Sequence, residues 1–166
     1  MAGSGAVIRK EAVGDHEVIA ALTTRAFEGH RYSSGTEAEI ISRLRAAGAL
    51  RLSLVAEEGG RLVGHVAFSP SNHEGWLALG PVAVEPGDQK RGIGSALIET
   101  GLVALAGAGS HGCILVGDPG YYSRFGFVPC PALCPEGLPG EYFMVKSFGE
   151  PLPPAAFSFH RAFFGA

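Results

Sequence analysis

Apolar and polar residues alternate at the start of the chain, where "AVIRKEA", 6–12, has the two-residue period of a strand. The period then lengthens. In "HEVIAALTTRAF" the positions Val18, Ile19, Leu22 and Phe27 recur at helical spacing after a start signal at Gly14-Asp15. "GHRYSSG", 29–35, is polar and predicts a loop. "TEAEIISRLRAAG", 36–48, predicts a second helix, with Thr36 and Glu39 at capping-box spacing and Gly48 as the stop. "LSLVAEEGGRLVGHVAFSP", 52–70, reads as two strands about a Gly59-Gly60 hairpin turn, and "WLALGPVAVE", 76–85, as a fourth strand. "GIGSALIETGLVALAGAG", 92–109, is a helix with Glu99 and Thr100 almost alone as polar residues, so it belongs against a sheet. A short apolar strand follows at 112–118, then a short helix "PGYYSRF", 119–125, with Pro119 at its first position, and a last strand at 141–148. The order is strand, two helices, three strands, helix, strand, helix, strand: a mixed α/β domain.

Composition narrows this picture. A chain of 166 residues, 46% apolar and 17% charged, has the make-up of one globular domain. The expected organisation is a flexible tail over 1–5 and a single domain over 6–166. Thirteen Lys and Arg against sixteen Asp and Glu, net charge −3, argue against a general nucleic-acid binder. No apolar run is long enough to span a bilayer, and "MAGSGAVIRKEA" has no secretory core, which points to a cytoplasmic protein without a membrane partner. Cys130 and Cys134 stand as C-x-x-x-C with no second ligand pair, so reduced thiols and no metal are expected.

The chemistry concentrates in "EPGDQKRGIGSALIET", 85–100. A helix N-terminus offers unpaired N–H groups and partial positive charge, and glycines let the backbone approach an anion closely. Lys90 and Arg91 add charge, so the ligand should carry phosphates. A P-loop fails, because Ile93-Gly94 occupies its Lys-Ser/Thr positions. A dinucleotide fingerprint fails at Leu97, where its third glycine belongs. Gln89, Gly92 and Gly94 do satisfy Q/R-x-x-G-x-G/A between a strand and a helix. Upstream, Gly80-Pro81 interrupts a strand pattern, and a bulge or splay is expected there.

These residues, with "LGPVAV" at 79–84, "GDPGYYSRFGF" at 117–127 and the tail "FSFHRAFF", resemble the GNAT superfamily of acyl-CoA N-acyltransferases, most of all its YhbS-like branch. The resemblance covers essentially the whole chain. It implies a mixed central sheet splayed between the fourth and fifth strands and flanked by about four helices. It implies acetyl-CoA as co-substrate, bound by Val82, Val84, Gln89, Lys90, Arg91, Gly92, Ile93, Gly94, Ser95, Tyr122, Arg124 and Phe125. Val82 N–H would face the thioester carbonyl, Val84 would pair with the pantetheine, and Tyr122 would protonate the departing thiolate. Tyr121, about 100° away around the helix, would point elsewhere. The acceptor would be a small-molecule or peptide amine that the residues do not identify, its pocket formed in part by "EGHRYSSGTEAE", and the protein a monomer or homodimer. Certain relatives carry a glutamate on the fourth strand where this chain has Ala78. The candidates for a base are therefore His65, His73, Glu74, Asp118 or water. Two other readings stay open: an acyl-CoA-binding sensor or catalytically weak member, and an interaction module sharing only the architecture.

Overall fold

The computed structural model describes residues 5–30 and 33–165. Of the tail expected over 1–5, all but Gly5 lies outside the described residues. The strands are β1 (Val7–Lys10), β2 (Leu52–Glu58), β3 (Arg61–Pro70), β4 (Trp76–Val84), β5 (Gly112–Val116), β6 (Val128–Pro129) and β7 (Phe143–Ser147). The helices are α1 (His16–Phe27), α2 (Glu37–Ala46), α3 (Ile93–Gly107) and α4 (Pro119–Tyr122), the last running into a 3-10 turn over Ser123–Phe125. The strands form one sheet in the order β1-β2-β3-β4-β5-β7-β6, antiparallel except for β4 beside β5. That is the mixed sheet with four helices that the resemblance implied.

Alternation on the strands sorts the two faces. Leu54 and Ala56 join the core under α3 with Phe68, Leu97 and Leu102, whereas Val55 between them packs with Ile19 of α1 and Ile41 of α2. The α3 helix lies very close to the sheet: a Cβ at Gly101 would sit 2.4 Å from the Phe68 ring, so only glycine fits there. Among the described residues no helix is long and apolar enough to cross a membrane.

Two local expectations need correction. The capping box at α2 does not form, because the Thr36 hydroxyl is paired with Ser34 Oγ at 2.6 Å and Glu39 pairs with Arg43 instead. Glu37 serves that helix start, accepting from Ser33 Oγ and from Ser34 N–H. The sequence reading also passes over β6, a two-residue edge strand ending in proline and too short to leave a period.

Candidate active site

The site begins where two parallel strands part. Trp76, Leu77 and Ala78 of β4 pair with Gly112, Cys113 and Ile114 of β5, and the pairing stops there. From Leu79 to Val84 that edge of β4 has no strand beside it. On the other edge β4 stays paired with β3, but the register shifts between Val66 and Phe68, opposite Gly80-Pro81. Pro81 has no N–H for the ladder, which accounts for a break at this place.

Backbone alternation then decides what the free edge offers. Glu85 N–H donates to Val63 C=O at 2.9 Å, which marks a hydrogen-bonded pair. Two residues back, Ala83 turns its N–H and C=O to His65 of β3. Val82 and Val84 therefore turn theirs to the gap left by β5. Gln89 agrees with that direction, because its side-chain amide donates to Val84 C=O across 3.2 Å.

The turn after β4 carries the glycine loop. Gly92 is the N-cap of α3 with φ +82°, a left-handed conformation that favours glycine. Lys90 is held at φ +66°, where a side chain costs about 1 kcal/mol, and it is the one such non-glycine among the described residues. No side chain caps α3 and no acidic residue stands in its first turn. Ala96 N–H closes the first helical bond on Gly92 C=O, leaving the N–H groups of Ile93, Gly94 and Ser95 without a helical partner. Gly94 faces the gap, since a Cβ there would lie 3.5 Å from Val84 Cγ2 and 3.7 Å from Tyr121 Oη.

These elements enclose a cleft of about 560 Å³. It is walled by Val82, Val84, Gln89, Lys90, Gly92, Ile93, Gly94, Ser95, Tyr121, Tyr122 and Arg124, and no carboxylate among the described residues lines it. Its charges are the Lys90 ammonium and the Arg124 guanidinium, which lies 4.4 Å above the Tyr121 ring. Two of the expected coenzyme residues are elsewhere. Arg91 extends away to Glu58 at 2.7 Å and Asp88 at 2.6 Å, and Phe125 is buried in the core under α3. Tyr121 was expected to point elsewhere but lines this cleft, its hydroxyl 3.2 Å from Ser95 Oγ.

Tyr122 sits at the far end of the cleft, half-buried, with its ring against Gly117, where a Cβ would approach it to 2.5 Å. Burial raises its phenol to about 12, and the neighbouring Tyr121 and Asp118 push the same way, so it stays protonated at neutral pH. A second cleft, about 510 Å³, also borders the same residue. Phe27, His30, Val82 and Tyr122 border both clefts and form their junction.

Residues 50–129 match the family model of the acetyltransferase (GNAT) domain. Over 126 residues the chain is 38% identical to the uncharacterized N-acetyltransferase YhbS of Escherichia coli strain K12, an alignment covering 73% of this chain and 72% of that one. The chain belongs to the GNAT N-acetyltransferase family. Among solved structures, a GNAT acetyltransferase from Brucella melitensis in complex with acetyl-CoA superposes with a TM-score of 0.86 at 45% identity, covering 96% of this chain and 99% of that one. YhbS from Escherichia coli in complex with CoA gives a TM-score of 0.86 at 31% identity, covering 98% and 93%.

In this GNAT chain none of the candidate side-chain bases, His65, His73, Glu74 and Asp118, lines either cleft. His65 is fully buried on β3, and its Nε2 lies 2.7 Å from Ser53 Oγ. Ser53 gives its one proton to Glu11 at 2.6 Å, so His65 Nε2 carries the hydrogen and Nδ1 keeps an unpartnered lone pair. Burial holds His65 down at about 4, so it is neutral. His73 bonds the carbonyls of Ala155 and Ala156, and with Glu74 it borders a hollow before the first residue of β4, away from the splay. Asp118 accepts from Gly120 N–H at 2.9 Å and caps α4. His30 and Glu37, which border the second cleft, were not singled out from the sequence. Both lie in "EGHRYSSGTEAE", the segment expected to form part of the acceptor pocket, but its loop has no period to show which way a side chain turns. No group of three or more His, Cys, Asp or Glu gathers at metal-binding distance among the described residues.

Proposed function

We propose that the protein binds acetyl-CoA in the cationic cleft and transfers its acetyl group to a primary amine arriving from the second cleft, by direct attack. The observation that carries this reading is the continuity of the first cleft. It runs from the uncapped N-terminus of α3, along the unpaired edge of β4, to the Tyr122 hydroxyl. A phosphate-bearing ligand meets three free N–H groups, Lys90 and Arg124 at one end. An extended amide-bearing arm finds Val84 N–H and Val82 N–H on the strand edge, as a missing strand would.

In the step itself the amine nitrogen forms a bond to the thioester carbon and the carbon–sulfur bond breaks. An alkyl ammonium with pKa near ~10.4 must first lose a proton, at a cost of about 4–5 kcal/mol at pH 7. That proton leaves toward solvent past His30, which is exposed at the junction. Val82 N–H is the donor aimed at the oxyanion. Tyr122 gives its proton to the thiolate, the attacking nitrogen sheds its second proton to solvent as the amide forms, and solvent returns a proton to the Tyr122 phenolate, so that acetyl-amine and CoA thiol leave with the enzyme unchanged. Burial that raises the phenol also raises the basicity of a thiolate released beside it, which keeps the two matched.

The test has two parts. Acetyl-CoA at about 100 times its Kd should raise Tm by several degrees, equivalent to about 2.7 kcal/mol. Thiol release should then follow when amines are added. No stabilisation by acetyl-CoA would refute the reading, and stabilisation without thiol release from any amine would favour the acyl-CoA sensor.

A further inference from the structure

Resting on the acetyl-transfer reading, we propose that the second cleft selects a monoamine with an apolar body, of the size of a short arylalkyl or medium alkyl chain. Its walls come from segments far apart in sequence: Phe27 of α1, Leu79 and Pro81 of β4, Leu138, and Phe159 and Phe163 near the C-terminus. The Phe159 and Phe163 rings pack on each other with centroids 5.5 Å apart, and Phe159 meets the buried Phe143 at 6.4 Å, so the wall is preformed. Apolar surface buried on such a wall contributes to affinity in proportion to its area. A hydroxyl-rich amine would leave its hydroxyl groups without partners there.

The charge in this cleft selects as well. Glu37 is the one carboxylate among the described residues that line it. Ser33 Oγ, at 2.8 and 3.0 Å from the two oxygens, and Ser34 N–H at 3.2 Å hold that carboxylate in place. A carboxylate has about four acceptor positions, so capacity is left for a ligand. One fixed negative charge draws in one ammonium. A polyamine would set its second ammonium against phenylalanine rings with no counter-charge.

The experiment compares n-propylamine to n-hexylamine, 2-phenylethylamine, ethanolamine, glucosamine and spermidine. It measures thiol release from acetyl-CoA and, separately, calorimetric binding of each amine to the CoA-saturated protein. The proposal expects kcat/KM to climb about four-fold per added methylene. It expects 2-phenylethylamine to exceed ethanolamine by about ten-fold or more in both measurements. Phe163→Ala should remove most of that advantage, and Glu37→Gln should raise the amine KM about ten-fold. Neither should move the Kd of acetyl-CoA. A flat alkylamine series, or a preference for spermidine, glucosamine or ethanolamine, overturns the proposal. So does the absence of turnover and binding for every amine in a protein that acetyl-CoA still stabilises. If acetyl-CoA itself fails to stabilise the protein, the acetyl-transfer reading falls first and takes this one with it.

Discussion

The two clefts meet at Tyr122 and are built from opposite materials. The first is backbone: free N–H groups of α3 and β4, two glycines without side chains to block them, and cations at the rim. The second is side chain: phenylalanines from distant segments and, among the described residues, a single carboxylate. On the proposed reading, an anionic donor and a cationic acceptor would occupy different clefts and would not compete. Binding in one cleft and binding in the other should be separable by mutation, and only the junction should affect turnover without affecting either.

Gly92→Asp is the harshest test of that separation. It places a side chain at φ +82° and a carboxylate among the N–H groups that would meet phosphate. Nothing lies within 4 Å of the added Cβ, so the fold has room for it. Acetyl-CoA affinity should fall by about 100-fold or more, roughly 2.7 kcal/mol, while amine binding in the second cleft persists. Calorimetry on the folded variant reads both, and an unchanged acetyl-CoA Kd would sink the first cleft as the coenzyme site.

His65 offers a buried polar centre that neither cleft includes. Burial is the main reason it is held down at about 4, with the Glu11 charge pulling the other way and the Arg45 charge adding to the fall. The unfolded chain binds that proton near ~6.5. Between those values the unfolded state takes up more protons than the folded one, so stability falls as pH drops through the window, by as much as ~3 kcal/mol. Above pH 6.5 this contribution is fully present. Denaturant titrations from pH 7 to 4 should show the slope, His65→Leu should flatten it, and the acetyl-CoA Kd of that variant should match wild type. An equal slope in His65→Leu would assign the acid sensitivity to other groups.

At the junction the expected effect is smaller and purely kinetic. Tyr122→Phe keeps the ring and its contacts with Phe125 and Phe127. The Kd of acetyl-CoA should hold, and kcat should drop by roughly ten-fold or more, within the range of general acids. The loss should shrink with an acyl donor whose thiol leaves more easily. Tyr121→Phe loses only a hydroxyl near Ser95 and should show a slight change in acetyl-CoA affinity with kcat near wild type. Full turnover in Tyr122→Phe, with chemistry rate-limiting, would reduce Tyr122 to packing.

How far the sequence foretold each cleft follows from how each is made. Most of the first lies within residues 82–95, joined by Phe27 and His30 and by Tyr121, Tyr122 and Arg124, and the determinants of that main stretch are local: a proline that breaks a ladder, glycines at a helix mouth, a helix too apolar to be exposed. Residue type marked the glycine loop of Gln89, Lys90, Gly92 and Gly94 as an anion site, the family resemblance added Val82, Val84, Ile93 and Ser95, and all eight line one cleft. The second joins Phe27, Glu37, Leu79 and Phe163, which only the folded chain brings near one another. Direction was the other loss. His65 had the right chemistry and the adjacent strand, yet it turns away from both clefts to Ser53, which in turn bonds Glu11.

Neighbouring cations give the finest comparison. Lys90 and Arg91 are adjacent and equally charged in sequence, but Lys90, turned by its positive φ, lines the first cleft, whereas Arg91 is committed to Glu58 and Asp88. An exposed ammonium facing phosphate through partly screened solvent contributes modestly. Lys90→Ala should therefore weaken CoA about three- to five-fold, and the loss should shrink at high salt as counterions take over its role. Arg91→Ala should weaken CoA less, because its guanidinium would have to leave two carboxylates to reach a phosphate. Comparing CoA with dephospho-CoA sharpens the result. If Lys90 faces the 3′-phosphate, Lys90→Ala loses little against dephospho-CoA; if it faces the pyrophosphate, the two ligands lose alike. A larger loss in Arg91→Ala than in Lys90→Ala, selective for the 3′-phosphate, would mean that coenzyme binding pulls Arg91 out of its ion pairs and into the first cleft.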